Sequence, residues 1–278
     1  MTETAEALIR TAARSLGVAG VDDPMRDATL LMRWALGVDG AGLAARSSQS
    51  VPEAAQKEFL AATLRREARE PLSHIVGTRE FWGRPFRVTR DVLDPRPETE
   101  TLVAEALHRG PQKRILDLGI GSGCILFTLL AEWPTASGIG VDVSEAALLI
   151  ADLNARDLGV ANRAHLQLGD WYKGLQGSFD LIVSNPPYIA EDALPELTPE
   201  VREHEPLQAL TDGTDGLSAY HAIADGARDM LSASGWLLVE IGTGQSHAVA
   251  GIIASAGLLV HAILPDLDQR PRVVVARP

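Results

Sequence analysis

The segment at positions 115–130, ILDLGIGSGCILFTLL, constrains the fold more than any other part of the chain. A short apolar run typical of a strand leads into alternating glycines, and an apolar run typical of a helix follows them. Gly119, Gly121 and Gly123 occupy the turn, where glycine permits a positive φ and close approach of a ligand to the backbone. A dinucleotide-binding loop requires its third glycine at the position of Cys124, so that fold fits the spacing poorly.

The chain around this turn alternates between strand-like and helix-like segments. From Pro111 onward, helical stretches separate short apolar runs of β type, which are Arg114 to Leu116, Gly138 to Val141, His165 to Leu168, Leu181 to Ser184, Trp236 to Ile241 and Val273 to Val275. Such alternation predicts an α/β fold with a mainly parallel sheet and helices on both of its faces.

The first part of the chain has a purely helical pattern. Apolar residues between positions 2 and 16 follow the three-and-four spacing of an amphipathic helix, namely Ala5, Leu8, Ile9, Ala12, Ala13 and Leu16. Asp23-Pro24 and Pro52 each begin another helical run, and Glu70-Pro71 ends the last one, because proline biases its predecessor away from helix. We therefore predict a small all-helical domain over residues 1–71.

The segment that follows, EFWGRPFRVTRDVLDPRPETE, lacks helical spacing and is rich in glycine, proline and arginine. We predict a β-hairpin linker over residues 72–95 and the α/β domain over residues 96–278. The arginines here (Arg79, Arg84, Arg87, Arg90 and Arg96) either face a partner or form a solvated rim with acids such as Glu80, Asp91 and Glu98. The rim is the more common arrangement.

Composition excludes several classes of protein. The formal net charge of −12 opposes binding to nucleic acid through phosphates. The single cysteine, Cys124, cannot form an intrachain disulfide, which suits a reducing cytoplasm, and the seven histidines show no metal spacing. The sequence contains no apolar run of about 18 residues. We expect a cytoplasmic protein without a metal, a membrane span or a direct nucleic-acid partner.

The motif DLGIGSG resembles the first motif of class I methyltransferases, in which the loop passes under the methionine part of S-adenosylmethionine. The resemblance implies a Rossmann-like fold and cofactor contacts from Asp117, Gly119, Ile120, Gly121, Ser122 and Gly123. Asp142 closes the next predicted strand, where a carboxylate can accept hydrogen bonds from both ribose hydroxyls. Alternatively, Asp142 caps a helix that starts at Ser144.

Two further segments lie where methyltransferases of this class hold their ligands. Asp170-Trp171 follows a predicted strand at the place of the adenine contact, which is the interpretation we favour; the alternative is that Trp171 is a half-buried loop aromatic. The strand FDLIVS then delivers Asn185, Pro186, Pro187 and Tyr188 to the carboxyl edge of the sheet.

The tetrapeptide NPPY suits methylation of an amide nitrogen, which is a weak nucleophile because its lone pair is delocalised. The Asn185 side-chain oxygen and the Pro186 carbonyl can each accept one N–H of the target, and the two prolines hold these acceptors stiffly. Tyr188 offers a flat face for a planar group. We therefore predict that Asn185, Pro186 and Tyr188 are catalytic, that Asn185 also contacts the cofactor, and that Pro187 contributes to substrate binding.

Across nearly its whole length the sequence resembles the release factor glutamine methyltransferase family. Besides DLGIGSG and NPPY, the resemblance rests on PLSHIVGTREFWG, DPRPETETLV, EHEPLQAL, DGTDGLSAY and EIGTGQ. It implies that S-adenosylmethionine, converted to S-adenosylhomocysteine, methylates the N5 amide of the Gly-Gly-Gln glutamine in class I peptide chain release factors. Three places depart from the family pattern: Ile120 stands where threonine is frequent, Asp94 where an apolar residue usually precedes PRP, and Ser73-His74 where a Gln-Tyr pair is common.

Two alternative substrates remain open from sequence. A sister enzyme that methylates a ribosomal-protein glutamine would have the same active site. Enzymes that methylate adenine amino groups share a similar tetrapeptide, because both targets are planar conjugated nitrogens. The acidic net charge and the helical first domain argue against the second alternative.

Overall fold

The computed structural model describes residues 3–278. It divides into two compact units: one extends to Gly77 and includes Thr198–His204, and the other comprises Thr78–Leu197 and Glu205–Pro278.

The helices, numbered along the chain, are α1 (Ala5–Val18), α2 (Pro24–Leu36), α3 (Gly40–Ala44), α4 (Glu53–Glu67), α5 (Leu72–Val76), α6 (Glu100–His108), α7 (Cys124–Glu132), α8 (Glu145–Asp157), α9 (Pro199–His204), α10 (Leu207–Leu210), α11 (Ser218–Met230) and α12 (Ser246–Ser255). The strands are β1 (Thr78–Phe81), β2 (Arg84–Arg87), β3 (Arg114–Leu118), β4 (Ser137–Asp142), β5 (Ala164–Leu168), β6 (Phe179–Ser184), β7 (Leu231–Glu240), β8 (Leu259–Pro265) and β9 (Pro271–Arg277).

The first unit is helical, as the sequence predicts. All six residues of the predicted α1 stripe are buried. The helix predicted from position 2 begins at Ala5, and position 2 itself lies outside the described residues. The side chain of Asp23 accepts a hydrogen bond from the Arg26 amide (3.1 Å), and Pro24 occupies the first turn of α2. Capping by an acidic side chain and proline at the first helical position thus set the start of this helix.

A buried ionic cluster holds the first unit together. Arg66 in α4 pairs with Asp27 of α2 (2.8 Å) and with Glu200 of α9 (3.0 Å). Arg69 pairs with the same Glu200 (2.6 Å). Arg66 exposes 8% of its side chain and Asp27 10%, so removal of one partner would leave an uncompensated buried charge. These pairs explain why a segment distant in sequence joins the helical unit.

The units divide the chain at a different place from the predicted boundaries 1–71, 72–95 and 96–278. Ile75 of α5 is buried in the core of the helical unit, and Gly77 ends that helix with φ +78°. Phe81 and Phe86, on the two strands of the hairpin, pack edge to face at 6.1 Å and belong to the core of the second unit. The hairpin is therefore part of the larger unit, because its apolar side chains have their packing partners there.

The second unit contains a seven-stranded sheet in the order β5-β4-β3-β6-β7-β9-β8. The first five of these pair in parallel, whereas β9 runs antiparallel to β7 and β8 antiparallel to β9. The six predicted strands are present, most of them with longer bounds. The sequence analysis missed β8, whose alternately exposed residues form the antiparallel edge of the sheet. Among the described residues, no helix combines the length and the apolar character that crossing a bilayer requires.

We predict that Arg66→Met lowers the free energy of unfolding by about 3–5 kcal/mol, because Asp27 loses its buried counter-ion while Glu200 keeps Arg69. Urea denaturation followed by circular dichroism measures the change. The matched control is Arg10→Met, whose pair with Glu6 is solvent-exposed, with an expected cost of about 0.3–0.5 kcal/mol. Equal losses in the two variants would contradict the assigned role of the cluster.

Candidate active site

The candidate site lies where the strand order of the sheet reverses. Along the chain, β3, β4 and β5 run outward in one direction, and β6 then pairs on the other side of β3. The register aligns Leu118 with Ser184 across β3 and β6, and Leu118 with Val141 across β3 and β4. The loops that begin at Gly119 and Asn185 therefore start side by side at the carboxyl edge. Such a switch point is the usual ligand site of an open α/β sheet.

The glycine loop folds tightly against β4. The amides of Gly119 and Ile120 both donate to the carbonyl of Val141, at 2.9 and 3.0 Å. Gly121 has φ +53° and Gly123 +83°, and a Cβ on Gly123 would lie 2.0 Å from the ring of Phe127 in α7. Glycine is required at position 123 for both reasons.

Ile120, where the family resemblance led us to expect threonine, is buried against Gly140 of β4. A Cβ on Gly140 would lie 2.1 Å from the Cδ1 atom of Ile120. The glycine therefore makes the space for this larger apolar side chain, which explains the departure by packing.

Asp142 connects the glycine loop to the next helix. Its Oδ2 accepts the amide of Gly121 (2.9 Å), and its Oδ1 accepts the amide of Ser144 (2.9 Å), which caps α8. Burial raises the pKa of this carboxyl, against the opposing effect of hydrogen bonds from the backbone amides of Gly121, Ser144 and Val143. Ser144 itself is the N-cap of α8, because its side chain accepts the Ala147 amide (3.1 Å). Asp142 therefore stabilises the turn before the helix and does not cap it; Asp142 also lines the cleft.

Asp117 lies behind the loop and does not line the cleft. It is 1% exposed, and its Oδ2 accepts the amide of Leu126 (3.2 Å) near the start of α7. Its Oδ1 has no hydrogen-bond partner among the described residues. Burial raises the pKa of Asp117 to about 7, and the nearby charge of Asp142 adds to the shift. Asp117 therefore holds the start of α7, the helix that follows the glycine loop, in place. Its predicted contact with the cofactor stays a prediction.

The residues that follow β5, where the family resemblance places the adenine contact, form one side of the cleft. Gly169, Asp170 and Trp171 all line the cleft, with Asp170 exposed and Trp171 half-buried. Trp171 has φ +49°, in the left-handed region that a residue with a bulky side chain adopts only when its surroundings hold it there. Its side chain packs against a cluster of buried apolar residues from the sheet that includes Leu116, Ile182 and Leu237.

The NPPY segment continues from β6 into the same cleft. Asn185 and Pro187 line it, whereas Pro186 is buried and Tyr188 is half-buried beside the core; neither lines the cofactor cleft. The Asn185 Nδ2 donates to Thr99 Oγ1 (3.2 Å), and the Asn185 Oδ1 is buried without a hydrogen-bond partner among the described residues. An unpaired buried acceptor in a ligand cleft is the feature expected of a group that binds a donor on the substrate.

A buried carboxyl lies behind this segment. Glu240, the last residue of β7, is fully buried, and its Oε1 accepts the hydroxyl of Tyr188 (3.4 Å). Burial raises the pKa of Glu240 to about 7, against the opposing effects of Thr99 and Arg272. Burial also raises the pKa of Tyr188, so its hydroxyl keeps its proton. Sequence reasoning missed Glu240 and Thr99, although a carboxylate that ends the apolar run WLLVE at the ligand edge was a usable signal.

The hairpin arginines face acids of the same unit. Arg84 pairs with Glu132 (2.6 Å), Arg87 with Asp157 (2.5 Å) and Arg96 with the buried Glu205 (2.6 Å), while Arg79 lies 3.9 Å from Asp94. These pairs favour the rim interpretation, but with partners other than Glu80, Asp91 and Glu98. The unexpected Asp94 is buried beside Arg79, which accounts for an acid at that position.

Comparison with known proteins agrees with this geometry. Residues 7–77 match the model of the PrmC N-terminal domain, and residues 90–201 match that of the methyltransferase small domain. The chain is 52% identical over 269 residues to a release factor glutamine methyltransferase of Cereibacter sphaeroides, covering 97% of this chain and 96% of that protein. It is 46% identical to one of Rhodospirillum rubrum, covering 97% and 84%. Among solved structures, a methyltransferase from Pyrococcus furiosus shares the fold, with a TM-score of 0.55 at 16% identity over 80% of this chain and 96% of that one.

Fold and site together define a class I, Rossmann-like methyltransferase that uses S-adenosylmethionine. The chain belongs to the release factor glutamine methyltransferase family. The residues of the cleft fit this cofactor: the loop exposes backbone without a Cβ at Gly119 and Gly121, and Asp142 and Trp171 follow the neighbouring strands. Ile120, Ser122 and Asp170 line the cleft and Gly123 lies in its glycine loop, while the cofactor contacts predicted for these residues stay predictions.

We predict that Asp142→Ala weakens S-adenosylmethionine binding by about 1–3 kcal/mol, the cost of leaving buried hydroxyl groups unpaired. Isothermal titration calorimetry measures the affinity. Asp157→Ala, which changes an aspartate of α8 outside the cleft, is the control. An Asp142→Ala affinity equal to that of the control would refute a ribose-binding role.

The raised pKa of Asp117 has a consequence for stability. Between about pH 4 and pH 7 the folded protein holds a proton on this carboxyl that the unfolded chain has released, so stability falls as the pH rises. We predict that Asp117→Asn flattens the decline between pH 5 and pH 7 by up to about 1.4 kcal/mol per pH unit. Denaturation at several pH values measures this slope. Asp157→Asn should leave it unchanged, because the hydrogen bond from Arg87 lowers the pKa of that exposed group, out of this range.

Proposed function

We propose that this enzyme methylates the N5 side-chain amide of the glutamine in the Gly-Gly-Gln motif of class I peptide chain release factors. The relatives that cover nearly the whole chain carry the name of release factor glutamine methyltransferases, which supports this substrate class. The single structural observation that carries the proposal is the unpaired, buried Oδ1 of Asn185 in the cleft.

The chemistry follows from what an amide nitrogen needs. When bound, S-adenosylmethionine supplies an electrophilic methyl group on a sulfonium. Asn185 Oδ1 and the Pro186 carbonyl accept the two N–H groups of the glutamine amide, which fixes the direction of the nitrogen lone pair and draws electron density toward it. Pro186 and Pro187 restrict the backbone that presents these acceptors.

The site needs no strong base of its own. The amide nitrogen becomes acidic as it gains the methyl group, and it releases its proton to water. Tyr188, held by its hydroxyl on Glu240 and by its carbonyl on the Gln245 side chain (2.9 Å), keeps a flat face beside the planar target. Positioning and electrostatics then supply most of the rate enhancement.

The partner proposed here is a protein in the cytoplasm, bound without direct contact to nucleic acid. The acidic net charge of −12 and the pairing of four hairpin arginines with acids support this part of the proposal. A protein with a net charge of −12 offers phosphate groups little counter-charge.

The decisive experiment offers labelled S-adenosylmethionine with one of three substrates: a class I release factor, ribosomal proteins, or DNA and RNA. Mass spectrometry then maps the modified atom. We expect one methyl group on the glutamine of the Gly-Gly-Gln motif, and none in a release factor whose motif glutamine is replaced by alanine. Modification of a ribosomal protein or of adenine in preference to the release factor would overturn the proposal.

We predict that Asn185→Ala reduces kcat at least about a hundredfold, the effect of removing one preorganised hydrogen-bonding group from a transition state. Fold and most of the cofactor affinity should be preserved, as circular dichroism and calorimetry can check. The control is Asn162→Ala, an exposed asparagine at the opposite edge of the sheet. Near-normal turnover by the Asn185→Ala protein would remove the proposed acceptor from the mechanism.

A further inference from the structure

Asn154 of α8 is a buried amide that neither the predicted cofactor contacts nor the proposed reaction uses. The residue is 1% exposed and does not line the cleft. Its Oδ1 accepts the amide of Arg87 (2.7 Å), and its Nδ2 donates to the carbonyls of Arg87 (3.1 Å) and Ser122 (2.8 Å). One side chain therefore joins the end of the hairpin to the glycine loop, which lie 67 and 32 positions away from it in sequence.

At the hairpin, Asn154 takes the place of a neighbouring strand. β2 pairs with β1 alone in a sheet of two strands, and a strand edge leaves backbone donors and acceptors to be satisfied. Both backbone groups of Arg87, the last residue of β2, bond to Asn154. Directly after β2, Val88 and Val92 pack with Ala147 of α8 in a small buried apolar cluster. Polar and apolar contacts thus fix the end of the hairpin on α8.

At the glycine loop, Asn154 fixes one peptide group. The carbonyl of Ser122 accepts from Asn154, and the amide of Gly123, on the same peptide bond, donates to the carbonyl of Ile120 (2.8 Å). Gly121 and Gly123, on either side of Ser122, both have positive φ and lack the side chains that restrict a backbone. Hydrogen bonds supply that restriction instead. Ser122 lines the cleft, so the orientation of this peptide group shapes the cofactor site.

The three bonds allow only one orientation of the Asn154 amide. The Arg87 amide can only donate, and the carbonyls of Arg87 and Ser122 can only accept. Exchange of Oδ1 and Nδ2 would place N–H against N–H and oxygen against two oxygens. An aspartate would present an oxygen to both carbonyls, and a leucine would leave all three backbone groups unpaired. Asparagine therefore satisfies this buried junction in a way that side chains of similar size cannot.

We propose that Asn154 is a positioning residue that couples the hairpin to cofactor binding, because it holds the Ser122–Gly123 peptide of the glycine loop against the end of β2. The chain that leaves the hairpin supplies another part of the cleft wall, at Asp91, Val92 and Leu93. A cofactor that orders the glycine loop then also orders the hairpin, and by linkage an ordered hairpin favours cofactor binding. This inference concerns the cofactor alone and does not depend on the identity of the methylated protein.

The first test measures the affinity of the full-length enzyme for S-adenosylhomocysteine by calorimetry. Asn154→Asp keeps the shape of the side chain and the acceptor for the Arg87 amide, whereas Asn154→Leu removes all three bonds. We expect each variant to bind about tenfold more weakly, the scale of one lost buried hydrogen bond.

Two control variants accompany this measurement. Arg87→Ala removes an exposed side-chain pair with Asp157 but keeps the backbone groups that bond to Asn154, so its affinity should stay within about twofold of the wild type. Ile253→Ala opens a cavity in the core beneath α12, away from the cleft. It should lower Tm without weakening binding more than about twofold, which separates a loss of stability from a loss of positioning.

The second test measures the coupling itself by amide hydrogen exchange. The residues of β2 do not line the cleft, so protection there reports an indirect effect of the cofactor. In the wild type and in Ile253→Ala, saturating S-adenosylhomocysteine should slow exchange about threefold or more both in the glycine loop and in β2. In Asn154→Leu it should slow exchange in the glycine loop only.

Unchanged affinity in both Asn154→Asp and Asn154→Leu would overturn the proposal. Equal protection of β2 by S-adenosylhomocysteine in the wild type and in Asn154→Leu would also overturn it. If Asn154→Leu does not fold, the wild type still decides, since a hairpin whose exchange does not respond to the cofactor is not coupled to it. Neither measurement uses a methyl acceptor, so this inference and the proposed function can fail separately.

Discussion

The parallel pairing of β3 with β6 is the constraint on which the rest of the site depends. Its register places Leu118 opposite Ser184, so the glycine loop and the NPPY segment leave the sheet from adjacent positions. Methyl transfer from a cofactor to an amide requires both ligands at contact distance. A register slip would turn the side chains of β6 to the other face and separate the two loops. The buried apolar residues of both strands hold the register. The core packing thereby sets the relative position of the two loops.

Polar groups buried at the carboxyl edge distinguish this part of the sheet from its apolar core. Asp117, Asp142 and Glu240 end or nearly end three strands of the sheet, and burial raises the pKa of each. Asp142 accepts the amide of Gly121 in the glycine loop, Asp117 accepts the amide of Leu126 near the start of α7, and Glu240 accepts the Tyr188 hydroxyl. Burial of these carboxyls opposes stability at neutral pH, yet their hydrogen bonds fix Gly121, Leu126 and Tyr188 in place. At this edge the buried apolar residues of the strands fix the positions of the three carboxyl side chains.

The helical unit is maintained by different means. Its helices are short and amphipathic, and a buried cluster around Arg66 joins α2, α4 and α9 by charge as well as by apolar packing. Because α9 follows the NPPY segment in sequence, the chain returns from the methyltransferase unit to contribute Glu200. No local signal in residues 198–204 predicts this, since the partners of Glu200 lie more than a hundred positions earlier.

The sequence by itself determined the elements with a local cause. Periodicity predicted α1, capping chemistry predicted α2, and apolar runs between turn residues predicted six of the strands of the sheet. The spacing of the glycines and the NPPY tetrapeptide indicated the cofactor and the type of nucleophile. Only the tertiary structure decided which side chains complete the site. Thr99 meets Asn185 and Glu240 meets Tyr188 across long sequence separations, and Asp117 lies behind the loop because β3 continues into the core. Hydrogen bonds between distant residues depend on the register of the sheet, and periodicity in one sequence carries no information about that register.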